Sequence, residues 1–347
     1  MNADNKTKLL QLLRQYKELE ISNQIDYGKF YLYSIITHST AIEGSTVTEV
    51  EAQLLFDEGI TAKGKPMVEQ LMNLDLKNAY EYGIEWIKRH EDITVDSLIV
   101  LASKVMARTG SEYNSLGGSF DASKGELRKL NVTAGAGGRS YLNWMKVPQK
   151  FCNELNARRK ALDASNIAAV YELSFWAHYE LVTIHPWADG NGRTCRLLMN
   201  LLQMEYDVLP TKVLKEDKGE YIQALIDTRE QENIQIFVDC MTELHCAHLR
   251  HDIEQYERSV KVADKSDITR KMVDKWSIKP SLAEKLADIL LFMADKSEVK
   301  TESIVSAFGF TETTAKRYLR QLTEFGYLEA HGGNKNRTYK IKNIGSK

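Results

Sequence analysis

The 347 residues carry 43% hydrophobic and 27% charged side chains with a formal net charge of −2, the make-up of an ordinary globular chain with room for two or three domains of roughly 100–200 residues. So slight a net charge excludes a chain dominated by nucleic-acid binding, though not local basic patches. No stretch reaches the roughly 18 consecutive apolar residues of a membrane-spanning helix.

The start, Met1-Asn2-Ala3-Asp4-Asn5-Lys6, leads into a short apolar run broken by Arg14 and Lys17, unlike the core of a signal peptide. Cys152, Cys195, Cys240 and Cys246 lack disulfide-like spacing. Reduced thiols and a cytoplasmic location are therefore expected. Only five prolines occur, strand patterns are rare and helical periodicity is common, so the chain reads as mainly α.

Residues 1–96 are expected to be a helical region. Within it Tyr27 through Ile42 forms one helical run closed by Gly44, a good residue just past a helix end. Glu43 then lies at the helix C-terminus, where the dipole disfavours an acid by about 0.3–1 kcal/mol. An acid that breaks a local rule often has a partner elsewhere. Ser45-Thr46-Val47-Thr48-Glu49 reads as a turn and cap opening the next helix.

A second region spans 97–245. Gly117-Gly118 and Gly125 through Thr133 precede the glycine-rich Ala134-Gly135-Ala136-Gly137-Gly138, after which comes Tyr141-Leu142-Asn143-Trp144. Two short extended runs around a glycine turn predict a β-hairpin.

The densest chemistry is His185-Pro186-Trp187-Ala188-Asp189-Gly190-Asn191-Gly192-Arg193-Thr194-Cys195-Arg196. Pro186 disfavours the α region for His185, so the helix arriving through Phe175–Val182 should end at or just before it and leave the imidazole on a loop. Gly190-Asn191-Gly192 can turn successive N–H groups toward a common centre, which binds anions. Leu197, Leu198, Leu201 and Leu202 then follow helical spacing, so the loop feeds a helix N-terminus that also favours negative charge. Arg193, Arg196 and Asn200 line a stripe away from those leucines. Two arginines beside an anion-binding turn suggest a polyphosphate. Asp189 is a hard oxygen ligand suited to Mg²⁺ on phosphate oxygens, and an imidazole of ordinary pKa roughly 6.5 can take a proton from a hydroxyl near neutral pH.

His245-Cys246-x-His248 has no second ligand pair and is read as a solvated or packing face rather than a metal site. Residues 246–279 become charged without a sustained apolar stripe, a helical connector. In 280–347, Leu282–Met293, Thr301–Ala307 and a helix opened by Thr311 and running to Phe325 are followed by two extended runs, Tyr327–Ala330 and Arg337–Ile341. Three helices and a two-stranded wing resemble a winged helix-turn-helix. Lys316, Arg317, Arg320, Lys335 and Arg337 are its candidate phosphate contacts, with DNA or a protein as partner.

The stretch from His185 to Arg196 resembles the Fic family signature, His-Pro-Phe-x-(Asp/Glu)-Gly-Asn-Gly-Arg-x-x-Arg, departing from it only at Trp187. The resemblance implies a mainly α Fic fold with a β-hairpin flap, flanked by the N-terminal helical region and the C-terminal winged helix. It implies transfer of AMP from ATP to a Ser, Thr or Tyr hydroxyl of a target protein docked at the flap. His185 would be the base, and Asp189 would hold Mg²⁺. Gly190, Asn191 and Gly192 would cradle the phosphates, with Arg193 on the α/β and Arg196 on the γ-phosphate. Lys215–Leu225 resembles the stretch that closes over adenine, which makes Tyr221 a candidate base contact or a core tyrosine, and Asn200 a pocket residue or a helix-packing amide. Ser39-Thr40-Ala41-Ile42-Glu43-Gly44 is similar to the family's inhibitory motif, (Ser/Thr)-x-x-x-Glu-(Gly/Asn). By that resemblance Glu43 pairs with Arg196 where the γ-phosphate belongs, and Ser39 helps fix the helix. The usual Pro-Pro pair after the flap is absent, replaced by Asn143–Pro148. Removal of AMP by the same site, a nucleotide-sensing DNA-binding regulator and a homodimer all stay open.

Overall fold

Apolar residues at three- and four-residue spacing become helices along most of the chain, as the scarcity of proline allows. The computed structural model describes residues 1–133, 141, 148–294, 296, 298–333 and 337–342, apart from the side chains of 261–263. They form two compact units, Met1–His251 and Asp252–Lys347.

The first unit holds α1 (Ala3–Glu18), α2 (Tyr27–Ile42), α3 (Glu49–Glu58), α4 (Met67–Ile87), α5 (Val95–Val105), α6 (Gln149–Ala161), α7 (Ile167–Ile184), α8 (Asn191–Glu205), α9 (Lys218–Gln231) and the start of α10 (Ile234–Trp276). Helix ends follow local chemistry. Thr48 with Glu51 and Thr94 with Ser97 each make a reciprocal cap at the start of α3 and α5, satisfying N–H groups that a helix leaves unpaired. Past α2, Gly44 takes φ 106°, a conformation that glycine reaches without a Cβ penalty.

Helix α8 is the axis of this unit, with α2, α4, α5 and α7 packed on it. Leu197, Leu198, Leu201 and Leu202 are buried in the core with Leu76, Tyr80, Leu101 and Leu181, each such side chain contributing about 1.5–3 kcal/mol. Close approach of α4 depends on Gly83, because a Cβ there would stand 2.5 Å from Leu201 Cδ1. Since nearly all of α8 is buried, its polar residues cannot turn to water. Arg193, Arg196, Asn200 and Gln203 must find partners inside.

Between α5 and α6 the chain forms a hairpin of β1 (Glu112–Ser115) and β2 (Gly118–Asp121), paired antiparallel from Glu112↔Asp121 to Ser115↔Gly118. It lies earlier than the expected one. Of the expected flap, Ala134–Gly138 and Leu142–Trp144 lie outside the described residues, while the Tyr141 N–H donates to the Val132 carbonyl at 3.0 Å.

Helix α10 runs unbroken through the division between units. Residues 246–276 are helical, as expected of the connector; Cys246 and Leu249 are buried within the first unit, and Met272 is buried in the core of the second. His245 Nε2 meets the Tyr171 hydroxyl at 3.1 Å and His248 Nε2 meets Asp217 Oδ2 at 3.0 Å. Packing accounts for both histidines.

The second unit adds α11 (Pro280–Met293), β3 (Val299–Lys300), α12 (Thr301–Phe308), α13 (Glu312–Glu324), β4 (Leu328–His331) and β5 (Thr338–Ile341). The strands form one antiparallel sheet in the order β3-β5-β4. Its core gathers Leu286, Ile289, Ile304, Leu319, Leu322 and Tyr339. Gly309 turns at φ 66° and Thr311 accepts from the Thr314 N–H, so α12 stops and α13 starts where the sequence signals it. The two-residue strand β3 had no signal of its own.

Candidate active site

The site is built where α7 ends and α8 begins. His185 closes α7 in the left-handed region, φ 51° and ψ 59°, a conformation costing a non-glycine residue about 1–3 kcal/mol. The surroundings hold it there. Buried Arg128 donates from its backbone N–H to the Pro186 carbonyl (3.0 Å), from Nε to the His185 carbonyl (2.6 Å) and from Nη1 to the Leu130 carbonyl (2.6 Å). Trp187 is buried with its indole N–H on the Gly125 carbonyl at 3.0 Å. Asn191 and Trp187 exchange two bonds, Trp187 N–H to Asn191 Oδ1 at 3.1 Å and Asn191 Nδ2 to the Trp187 carbonyl at 2.9 Å. The Asn191 side chain therefore braces the loop; only its backbone remains for an anion.

Arg128 carries no motif signal and was missed by the sequence. Arg128→Met keeps the backbone bond to Pro186 but is expected to leave the His185 and Leu130 carbonyls short of a donor and to lower turnover about 10–100-fold, since small misplacements of a reacting group cost that much. ATP affinity should change little. Steady-state kinetics with a separate binding titration check this, and an unaltered turnover would show that the clamp does not position His185.

Gly190 caps α8 at φ 78° with no side-chain hydrogen bond to the first turn, leaving that turn's N–H groups and the dipole to face the site. A Cβ on Gly190 would stand 2.6 Å from Met106 Sδ. On Gly192 it would stand 2.4 Å from Glu43 Oε1 and 3.0 Å from Arg196 Nη1, so any other residue would collide with the carboxylate over the helix start. Asp189 is 56% exposed, its Oδ1 accepting from the Gly190 N–H at 2.6 Å.

Arg193 is buried with Nη2 on Met106 Sδ at 3.2 Å and 3.6 Å from Asp189 Oδ1. Its Nε and Nη1 have no hydrogen-bond partner among the described residues, and burial pushes its pKa down. A buried guanidinium with idle donors at a helix N-terminus is a charge prepared for an anion.

Arg196, 3% exposed, is held through Nε and Nη2: Nε donates to Ser39 Oγ and Nη2 to the Ser39 carbonyl, both at 2.9 Å, and Nη2 also to Glu43 Oε1 at 2.6 Å. Glu43 keeps 34% side-chain exposure. Burial works to raise its pKa, but the Arg196 charge and hydrogen bond, with Arg193 and Lys218 beyond, hold it below the usual carboxylate range. Thr40 Oγ1 donates to Asn73 Oδ1 at 2.9 Å, and Asn73 Nδ2 to Ser45 Oγ at 3.2 Å. These buttons between α2 and α4 were also missed.

His185 stacks on Tyr141 with ring centroids 4.0 Å apart. Burial pushes its pKa down to about 4, opposed by the Val182 carbonyl and assisted by the Arg128 and Arg229 charges. The imidazole is thus neutral, able to accept a proton.

Asn200 is a buried amide, donating to the Thr211 carbonyl at 2.8 Å and accepting from the Tyr80 hydroxyl at 2.7 Å. Tyr221 takes the second of its two readings. At 1% exposure it is a core tyrosine, its hydroxyl 3.0 Å from His178 Nε2 and its ring centroid 5.9 Å from the Arg196 guanidinium carbon. It stands behind Arg196 rather than in open space where a base could stack.

Among the described residues no helix is long and apolar enough to cross a membrane, and no cluster of three metal-ligating side chains occurs. Residues 92–203 match the Fic/DOC family model. The chain is 30% identical over 193 residues to the protein adenylyltransferase Fic of Nematostella vectensis, 55% of this chain and 42% of that protein. It is 30% identical over 195 residues to the Drosophila melanogaster protein of that name, 54% and 35%. It therefore aligns with less than half the length of either. Among solved structures, Fic-1 (residues 134–508) of C. elegans superposes with a TM-score of 0.57 at 20% identity over 74% of each chain. A Fic family protein of Desulfovibrio desulfuricans superposes with 0.58 at 17% identity, covering 100% of this chain and 98% of that one. The mainly helical fold with its small hairpin is thus the Fic fold, and residues 92–203 are the part of the chain that resembles the Fic/DOC family.

Proposed function

We propose that this chain is a self-inhibited protein adenylyltransferase, moving AMP from ATP to a Ser, Thr or Tyr hydroxyl of a target protein. One observation carries the reading: the Glu43 carboxylate sits against Arg196 at 2.6 Å and over the Gly192 backbone, an internal anion in a place built for an external one. The names of the Nematostella and Drosophila relatives support the same chemistry.

In the reaction the target oxygen bonds to the α-phosphorus, the bond from that phosphorus to the β-bridging oxygen breaks, and pyrophosphate leaves. Neutral His185 takes the hydroxyl proton through Nε2, its Nδ1 being buried. The first turn of α8 and Arg193 hold the phosphates nearest the reacting atom, and Arg196 holds the terminal one. Much of the rate then comes from positioning and from fixed positive charge. Asp189, exposed beside the helix start, would hold a Mg²⁺ ion, a cation that prefers oxygen ligands. When bound, that ion would neutralise phosphate charge.

The regulator reading draws less support. On α13, Lys316 pairs with Glu312 at 2.5 Å and Arg320 with Glu324 at 2.7 Å, so two of the three cations that this helix offers to DNA are offset by its own acids.

The test is transfer of label from α-³²P-ATP to proteins of a lysate by the Glu43→Gly protein and by Glu43→Gly/His185→Ala. Loss of the base is expected to cut labelling by about 10²–10⁴-fold while ATP binding survives. Equal labelling by both proteins would remove His185 from the mechanism, and no labelling by a Glu43→Gly protein that binds ATP would remove adenylyl transfer.

A further inference from the structure

Arg196 is held from two sides, and only one of them belongs to the inhibitory helix. On the α2 side stand Ser39 and Glu43. On the other stands Tyr221 of α9, backed by His178 of α7, which is wholly buried and stacked on Phe237 with centroids 5.2 Å apart. Resting on the proposed function above, we propose that the buried Tyr221–His178 pair is the fixed backstop of Arg196, positioning its guanidinium for the terminal phosphate when Glu43 withdraws.

The hydrogen-bond chemistry sets the direction. A guanidinium can only donate, so the phenol proton of Tyr221 goes to His178 Nε2 at 3.0 Å, its hydrogen-bond partner among the described residues. Donating there leaves the phenol lone pairs free to accept from Arg196, whose guanidinium carbon lies 5.9 Å from the Tyr221 ring centroid. Both groups are in the required form at neutral pH. Burial pushes His178 down to about 3, so it is an unprotonated acceptor, and pushes Tyr221 up to about 12, so it keeps its proton. The pair sits on α7 and α9 and owes nothing to α2. Movement of α2 therefore frees the Arg196 edge that faces Glu43 and Gly192 while the opposite edge stays anchored. A side chain as long as arginine loses rotamer entropy on being fixed, and an Arg196 anchored in advance does not incur that loss when ATP binds.

The consequence separates triphosphate from monophosphate. Arg196 is assigned the terminal phosphate, which AMP lacks, so loosening Arg196 should weaken ATP and leave AMP almost untouched. In the Glu43→Gly background, Tyr221→Phe is expected to raise the calorimetric Kd for ATP about tenfold, the weight of one hydrogen bond to a charged group. The Kd for AMP should move less than about twofold. His178→Phe should copy the effect, and the double variant should be no worse than either single one, the signature of residues acting as one unit. A Tyr221→Phe protein with unchanged ATP affinity overturns the backstop, and so does equal weakening of ATP and AMP, which would make Tyr221 a contact to the base. If the Glu43→Gly reference itself binds no nucleotide, the proposed function falls and this inference with it; a reference that binds ATP isolates the backstop as the only part under test.

Discussion

The Glu43→Gly protein is expected to label its targets about 5–150-fold faster than the wild type, the span of a 1–3 kcal/mol coupling. The magnitude follows from the contact removed. Breaking a fully buried ion pair costs about 3–5 kcal/mol, but Glu43 is 34% exposed and water screens it, which brings the figure down. The same free energy that holds the carboxylate on Arg196 is what a terminal phosphate must overcome, so its loss appears as gained activity. It also appears as lost stability. Arg196 keeps Ser39 Oγ and the Ser39 carbonyl but loses its counter-charge, and a drop of about 2–4 °C in Tm per kcal/mol is expected for a unit of this size. Thermal melts and initial rates on the same preparation check both. A folded variant with the wild-type rate would mean that Glu43 closes nothing. Glu43→Gln separates charge from bulk: it keeps the shape over Gly192 without the charge, so intermediate activation is expected.

What the sequence could reveal depended on how far apart the partners lie. The loop and helix from His185 to Arg196 are legible because proline, glycine and leucine spacing act within a dozen residues. The end of α2 at Gly44 and the start of α13 at Thr311 are legible for the same reason. Glu43 stood out as an acid at the wrong helix end, and the structure supplies its partner 153 residues away. Arg128 gave no such warning. Its bond to the His185 carbonyl crosses 57 residues, and an arginine in a loop looks like any surface arginine. Whether Tyr221 meets the base or the core stayed open because the partner of its hydroxyl lies 43 residues upstream on another helix. The hairpin of β1 and β2 was missed because Glu112-Tyr113-Asn114-Ser115 has no apolar alternation, half-buried as it is. Along α10 the helix was legible, but the few buried positions past residue 246 were not, because its apolar residues there are spaced sparsely.

Acid should unfold the first unit well above the carboxylate range, and three histidines are the reason. Burial pushes His178 and His245 down to about 3 and His185 down to about 4, against about 6.5 in an unfolded chain. Each is neutral in the folded state, so between those values the unfolded chain binds more protons. Stability from such a group is fully present above pH 6.5 and is lost as pH falls toward the folded value. Each fully buried imidazole then costs about 1.4 kcal/mol per pH unit, so His178 and His245 together cost about 2.8, with His185 adding a smaller share. Glu43 acts in the same direction at lower pH, since its depressed pKa is stability lost only as the carboxylate protonates. Asp75 opposes them, because burial raises its pKa, outweighing the Arg108 contacts, and favours its protonated form in the fold. Against a total of about 5–15 kcal/mol, two imidazoles over two pH units are decisive. The Tm followed by tryptophan fluorescence is expected to fall by about 10–20 °C between pH 6.5 and 4.5. His245→Asn, which removes one titrating group while keeping a polar partner for the Tyr171 hydroxyl, should flatten that slope by about a third to a half even if it lowers the Tm at pH 7. A Tm that does not move between pH 6.5 and 4.5 would mean that these imidazoles reach water in the folded state.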